Sequence, residues 1–446
     1  MLRRFTCILT AVVAGFAGMC SVGVAAEEKE AKEEKWEYLL PDSFGGDLLK
    51  DAASFGTWKG ELGMQFRSEQ DYENSADDGD AGWGYLEASW LSGSMSGLQV
   101  GLGGLFVTEW WADDNFENLF DTGGDFEENS KWTEAYLKYT LADEKTYFVL
   151  GRAGNKLFGK PATGDGDYYE GVGVTTKVIP RLTLRAHVMK EWLNNASASW
   201  DLDGIDKDWE EMDDAIKGHD FGGELAYTLM GDIDLGFGKL SPYVQTQSDV
   251  GTSYGVSLDV FQDVNDFLTA GFEGTYAWVS EDTPSSVSSV DEDFSQMLLR
   301  PYIKVKNFTI GAGYYKMSDD MLVGNGGTLG DDKADDLKDI FIVDEMDPME
   351  EDGVYGEVPN NETYFVDVEY TYGPFSIKAV YGMIDDARTD GGATTKGEAD
   401  ELDIVLGIEL AKNLEAEFIY ADVNDDYSGD GDDSHKLYGG AITYSF

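Results

Sequence analysis

The feature that most constrains this chain is a two-residue periodicity that returns along most of its length. From Gly60 onward, Leu62, Met64 and Phe66 fall on one face of an extended strand, and Glu61, Gln65, Arg67 and Glu69 fall on the other. Counting back from the last residue gives the same division: Phe446, Tyr444, Ile442, Gly440 and Tyr438 against Ser445, Thr443, Ala441 and Gly439. Segments of this kind, roughly 9 to 14 residues long, begin near Thr57, Ala81, Ser96, Lys131, Lys145, Asp167, Arg181, Asp220, Leu240, Thr252, Phe267, Phe294, Asn307, Glu362, Phe375, Asp400, Asn413 and His435. The expectation is an all-β chain of about 18 strands, with about 16 as the alternative.

The connections sort into two kinds. Long polar stretches at 70–80, 111–130, 154–166, 193–218, 281–293, 318–361, 386–399 and 422–434 alternate with tight turns at 92–95, 142–144, 179–180, 305–306, 373–374 and 411–412. Two connections break the order: 231–239 is long for a turn and 249–251 is short for a loop. Alternating long and short connections are expected of an antiparallel transmembrane barrel, with loops outside and turns on the periplasmic side. A soluble multi-sheet protein is the rival reading, and it leaves this alternation unexplained.

Composition supports the barrel. There are 54 Gly against 9 Pro, aromatics are 13%, and the mean hydropathy of −0.34 suits a wall in which only every second residue is apolar. After the first 26 residues no stretch approaches the roughly 20 apolar residues of a spanning helix. Asp plus Glu number 87 against 32 Lys plus Arg, a net charge of −55. Such a surface repels nucleic acid, which is excluded as a partner, and attracts cations.

The first residues have the order of an export signal: Arg3 and Arg4, an apolar run from Phe5 to Val24, then Ala25 and Ala26. The expected division is a signal peptide over 1–26, a charged periplasmic arm over 27–56 and the barrel with its loops over 57–446. Cys7 and Cys20 both lie in the leader, so the mature chain is expected to hold no disulfide and no thiolate site. Localisation in a Gram-negative outer membrane follows, with lipid and lipopolysaccharide as the surroundings.

The closing strand with its terminal Phe446 resembles the last strand of bacterial outer-membrane barrels, whose final aromatic is part of the signal read by the insertion machinery. Three opening stretches resemble the start of OprD-like porins: Gly60-Glu-Leu-Gly-Met-Gln-Phe-Arg67, Ala81-Gly-Trp-Gly-Tyr-Leu-Glu-Ala-Ser-Trp90 and Ser96-Gly-Leu-Gln-Val-Gly-Leu-Gly-Gly-Leu-Phe106. Tyr168-Tyr-Glu-Gly-Val-Gly-Val174, Pro180-Arg-Leu-Thr-Leu184, Tyr364-Phe-Val-Asp-Val-Glu-Tyr370 and Phe375-Ser-Ile-Lys-Ala-Val-Tyr381 extend the resemblance over most of the mature chain. It implies an 18-stranded channel narrowed by inward loops. It also implies passive diffusion of small water-soluble nutrients, with a ladder of wall bases guiding carboxylate solutes.

Parity places Arg67, Lys138, Arg181, Arg185, Arg300, Lys304 and Lys378 on the water-facing side as pore-lining bases. It places Glu61, Glu87, Asp367, Glu369, Asp403, Glu409, Glu415 and Glu417 there as pore-lining acids. A charge facing lipid at the midplane costs roughly 2–4 kcal/mol, so inward placement is expected of any charge and does not by itself mark a substrate path. The acids depart from a purely basic wall. The expectation is therefore a cation-preferring pore for small hydrophilic solutes and ions. The alternatives are a carboxylate-selective channel and a plugged structural or adhesive barrel.

Other chemistry is weakly signalled. His187, His219 and His435 show no local pairing with a serine, and no phosphate-cradling loop or dinucleotide fingerprint is present, so no enzyme is expected. Asp201, Asp203, Asp206 and Asp208 form a carboxylate cluster in a Gly-bearing loop. Such a cluster suits Ca²⁺, which takes about 6–8 oxygen ligands, although a solvated acidic loop is the plainer reading. Otherwise no cofactor is expected. The third external connection, with Asn155, Lys156 and Lys160, is the expected constriction loop, and the longer stretch 318–361 is the alternative. Single barrels and homotrimers both remain open.

Overall fold

The structure, a computed structural model of the chain, describes residues 56–71, 79–112, 129–141, 144–154, 157, 166–194, 210–211, 225–247, 251–281, 293–317, 362–390, 393–427 and 433–446. The described residues form β1 (Thr57–Asp71), β2 (Gly79–Leu91), β3 (Leu98–Ala112), β4 (Asn129–Thr140), β5 (Thr146–Gly154), β6 (Gly166–Thr176), β7 (Leu182–Asn194), β8 (Glu210–Glu211), β9 (Ala226–Asp234) and β10 (Gly238–Gln247). They continue with β11 (Gly251–Asn265), β12 (Leu268–Glu281), β13 (Asp293–Val305), β14 (Phe308–Met317), β15 (Glu362–Tyr372), β16 (Phe375–Asp390), β17 (Ala393–Ala411), β18 (Leu414–Tyr427) and β19 (Asp433–Ser445). β8 is a two-residue bridge on β7 at Glu191 and Trp192. The other strands make one continuous wall of 18.

Each wall strand pairs antiparallel with its neighbours in chain order, and β7 passes directly to β9. β19 returns to β1 over eleven residue pairs, from Glu61 opposite Ser445 to Asp71 opposite His435. Closure removes both sheet edges, so every strand's backbone groups find partners within the wall. No helix among the described residues is long and apolar enough to cross a membrane. In this architecture the crossing is done by strands.

The alternation read from the sequence appears as alternating burial. In β15, Thr363, Phe365 and Asp367 are buried while Tyr364 and Val366 are exposed. The exposed face is apolar along its length and carries aromatic side chains at both ends. Trp58, Tyr372, Phe375 and Phe446 lie toward the turn end. Toward the other end, Tyr254 stacks on Trp278, and Tyr314 meets Tyr364 and Tyr420 meets Tyr438 with ring centroids 5.0 and 5.3 Å apart. Two aromatic girdles around an apolar band are the expected form of a lipid-facing barrel surface.

The tight connections gather at one end, where left-handed backbone is concentrated. Ser96, Glu144, Arg181, Lys306 and Asn413 have positive φ, as does Gly373. Two-residue hairpins favour such turns because their twist matches that of the strands they join. Tyr372 then pairs with Phe375, and Val305 with Phe308, directly across two-residue connections.

Four expectations change. The stretch 386–399 was expected as an external loop, but β16 and β17 continue pairing to Asp390 and Ala393. The stretch 231–239 is mostly strand, since β9 runs through Asp234 and β10 starts at Gly238. The stretch 422–434 is shorter as a loop than expected, because β18 extends to Tyr427. Arg181 is an exposed turn residue with φ 63°, not a wall residue. In each case backbone pairing continues, or stops, where the polarity of the residues suggested otherwise. The expected leader, and the arm up to residue 55, lie outside the described residues.

Candidate functional site in the lumen

The inner face is not evenly open. Tyr136, Val149, Ala153, Tyr169, Met189 and Ala226, from β4, β5, β6, β7 and β9, pack into a buried cluster, with Leu157 and Tyr147 against it. Leu157 belongs to the third long connection, and its carbonyl accepts a hydrogen bond from the Tyr147 hydroxyl at 3.1 Å. Tyr147 is the second residue of β5, close to the turn end. A residue of the connection beyond β5 therefore reaches down inside the wall. Asn155, Lys156 and Lys160, the expected constriction residues, lie outside the described residues.

A second contact draws the same sector inward. The Tyr168 hydroxyl on β6 donates to the Glu87 carboxylate on β2 at 2.5 Å. Four strand spacings of about 4.8 Å separate these strands, roughly 19 Å of wall. That exceeds what the two side chains span, so β2 to β6 curve sharply into the lumen. Beside Glu87 on the same face, the Tyr85 hydroxyl lies 3.3 Å from the Thr443 hydroxyl of β19. Neither Tyr168 nor Thr443 was read as a site residue, because such pairing depends on curvature that periodicity does not encode.

Two of the wall bases, Arg185 and Arg300, are held by wall acids. Arg185 donates to Asp232 at 2.6 Å, and Asp232 also meets Lys239 at 2.9 Å and the Ser241 hydroxyl at 2.8 Å. Arg300 makes two parallel hydrogen bonds to Asp367, Nε to Oδ1 at 2.9 Å and Nη2 to Oδ2 at 2.6 Å. Its Nη1 donates to Glu273 at 2.5 Å, and its guanidinium lies 5.6 Å from the centre of the Tyr302 ring. Paired guanidinium and carboxylate groups of this geometry are among the stronger polar contacts available.

Glycine makes the Arg300 node possible. Gly311 on β14 lies between β13 and β15, directly opposite Asp367. A Cβ there would sit 2.3 Å from Asp367 Oδ1 and 3.0 Å from Arg300 Nε. Only a residue without a side chain lets the two groups meet over the intervening strand. Glu273 and Asp232 were missed in the sequence reading; inward parity with Gly271 and Thr275 could have found Glu273, while Asp232 fell in a stretch read as a connection.

The remaining bases are placed individually. Arg67 is buried on β1, Lys138 lies 5.2 Å over the Tyr147 ring, and Lys378 is opposite Glu369 on the neighbouring strand. Lys304 is exposed near the turn end of β13. Glu61 is directly opposite Glu87, and Glu409 directly opposite Glu415, two like-charged cross-strand pairs. Glu417 follows Glu415 on the same face, and Asp403 is buried on β17 with Glu401. Like charges placed opposite one another disfavour pairing. In water they also set up a negative potential that draws cations. The carboxylate cluster of Asp201, Asp203, Asp206 and Asp208 lies outside the described residues.

No family model and no curated protein matches the sequence. Solved structures do match the fold. Pseudomonas aeruginosa OccK9 (OpdG) is 14% identical, with a TM-score of 0.66 over 89% of this chain and 100% of that one. Pseudomonas aeruginosa OpdO is 16% identical, with a TM-score of 0.64 over 89% and 98%. Acinetobacter baumannii OccAB4 is 13% identical, with a TM-score of 0.63 over 88% and 98%. The closed sheet, its strand number and these matches agree, and the chain has the fold of the OprD-like outer-membrane porins.

Proposed function

We propose that this chain is a porin of the outer membrane, a channel rather than an enzyme, through which small hydrophilic solutes and ions diffuse passively with a preference for cations. The observation that carries the preference is the placing of acids beside acids on the inner wall: Glu61 stands directly opposite Glu87 and Glu409 directly opposite Glu415, while Arg185 and Arg300 are each bound to wall carboxylates. The net charge of −55 acts in the same direction at the entrances. The inward reach of Leu157 supports the third external connection as the constriction.

The carboxylate-channel reading has one observation in its favour, a solved structure of Pseudomonas aeruginosa OpdK with vanillate, 13% identical to this chain. The ion-paired arginines of this wall weigh against carrying that chemistry over. On the favoured reading the leader is removed on export, the strand ending in Phe446 is offered to the insertion machinery, and phospholipid and lipopolysaccharide surround the apolar band. Planar-bilayer recordings in a KCl gradient test the preference. A reversal potential on the potassium side is expected, and one on the chloride side refutes it.

A further inference from the structure

We infer that the lipid-facing rim at the end of the long connections binds the headgroups of a phosphorylated glycolipid together with their divalent cations, through paired bases and acids seated on tyrosine rungs. The inference rests on the proposed outer-membrane setting, which places this rim in the outer leaflet.

The same four-residue arrangement occurs twice. Tyr314 on β14 stands opposite Tyr364 on β15, and two residues nearer the rim Lys316 stands opposite Glu362. Tyr420 on β18 stands opposite Tyr438 on β19, and two residues nearer the rim Asp422 stands opposite Lys436. In both, the carboxylate is held by the base across the strand and by the tyrosine hydroxyl of its own strand. Glu362 accepts from Lys316 at 2.5 Å and from Tyr364 at 3.1 Å. Asp422 accepts from Tyr420 at 2.8 Å, with the Lys436 ammonium 3.4 Å away. These side chains alternate with the buried Tyr315, Thr363, Ala421 and Leu437, so they lie on the outward face. A third group shares that face and that end. Arg152 follows the exposed Phe148 and Leu150 on β5 and reaches Glu170 at 2.5 Å and Glu191 at 3.1 Å, while Lys190 lies 2.8 Å from Glu191.

Charge balance identifies the partner. Bases are scarce in this chain, 32 against 87 acids, yet each of the three groups holds as many bases as acids. A bare anionic headgroup would be repelled by the acids, and a free cation by the bases. A layer in which phosphates alternate with Mg²⁺ or Ca²⁺ presents both signs at once. Ammonium and guanidinium groups donate to the phosphate oxygens, and the carboxylates add oxygens to the shell of the cations. The tyrosine rungs set the depth, because a ring with a polar tip settles where hydrocarbon gives way to headgroups.

The test places the refolded mature chain in phosphatidylcholine nanodiscs doped with diphosphorylated lipid A and Mg²⁺, and counts by native mass spectrometry the glycolipid that stays with the barrel. Lys316→Gln with Lys436→Gln should retain severalfold less than the wild type. Lys306→Gln with Lys412→Gln, which removes two exposed bases at the turn end, should retain as much. Glu362→Gln with Asp422→Asn should also retain less while Mg²⁺ is present, and chelating the Mg²⁺ should bring the wild type down to that level. Lys316→Arg with Lys436→Arg should keep the binding, which separates a lost contact from a disturbed rim. Phosphatidylglycerol in place of lipid A should be held less well. Undiminished retention in the lysine variant, tighter retention in the acid variant, or equal retention of phosphatidylglycerol would each overturn the proposal. Single-channel conductance of the same samples reports on the porin reading separately, so either can fail while the other stands.

Discussion

Gly60 and Phe446 exchange both backbone hydrogen bonds, Gly60 N to Phe446 O at 3.1 Å and Phe446 N to Gly60 O at 2.9 Å. Phe446 is thus a rung of the seam that closes the barrel, and its ring lies over the bare Cα of Gly60. A Cβ on Gly60 would come within 2.5 Å of the Phe446 ring and 2.4 Å of the Glu87 carbonyl. Gly60→Val should lower stability by about 1–3 kcal/mol through overpacking. Removing Phe446 loses the two bonds, about 1 kcal/mol each, together with the ring. Guanidinium unfolding of the refolded barrel, followed by heat-modifiable mobility in gels, measures both. Wild-type midpoints in both variants would show that the seam does not depend on this rung.

The two faces of the adjacent strands β14 and β15 should respond unequally to the same substitution. Val366 on β15 is half exposed on the apolar face, whereas Thr309 on β14 faces inward opposite Lys304 and Glu369. Val366→Arg should cost roughly 2–4 kcal/mol in bilayer-supported unfolding titrations. Thr309→Arg gains the neighbouring Glu369 and should change stability by less than about 0.5 kcal/mol. Equal costs at the two sites would contradict the division into lipid and water faces.

Much of the wall could be read from the residues because side-chain alternation and turn chemistry are local. Thr57, Glu362 and Phe375 begin strands as the periodicity indicated, and most other starts fall within two or three residues. Where the strands rise beyond the apolar band, alternation ends but pairing does not. Asp385 pairs with Glu398 and Thr389 with Thr394, in a stretch too polar to look like strand. The Asp390-Gly-Gly-Ala393 sequence was the available signal, since Gly-Gly favours a two-residue hairpin. The site was less legible. Parity placed Arg300 and Asp367 on the wall, but their union over Gly311 depends on three strands lying side by side. The Tyr168 contact with Glu87 depends on the curvature of five.

That contact should be measurable as a coupling. Tyr168→Phe removes the hydroxyl that donates to Glu87, and Glu87→Gln removes the charge it binds. A hydrogen bond to a charged acceptor contributes about 1.5 kcal/mol or somewhat more. A double-mutant cycle on unfolding should therefore show a coupling of about 1 kcal/mol. Tyr168→Ala also removes the ring that fills this sector, and single-channel conductance should rise. Unchanged conductance together with no coupling would mean that the contact does not shape the passage.

Ionic strength separates wall charge from pore size as the source of selectivity. If Glu61, Glu87, Glu409 and Glu415 attract cations through water, their reach is set by the Debye length, about 10 Å at 0.1 M salt and about 3 Å at 1 M. An open lumen in an 18-stranded wall is wide compared with the shorter distance. Potassium preference should accordingly be strong when reversal potentials are taken near 0.1 M KCl and should shrink severalfold near 1 M. Neutralising both like-charged pairs, with Glu61→Gln, Glu87→Gln, Glu409→Gln and Glu415→Gln together, should bring the low-salt value toward the high-salt one. A preference that is independent of salt would locate selectivity in a close-fitting constriction, where an ion meets its partners without screening, and the wall acids would then have no part in it.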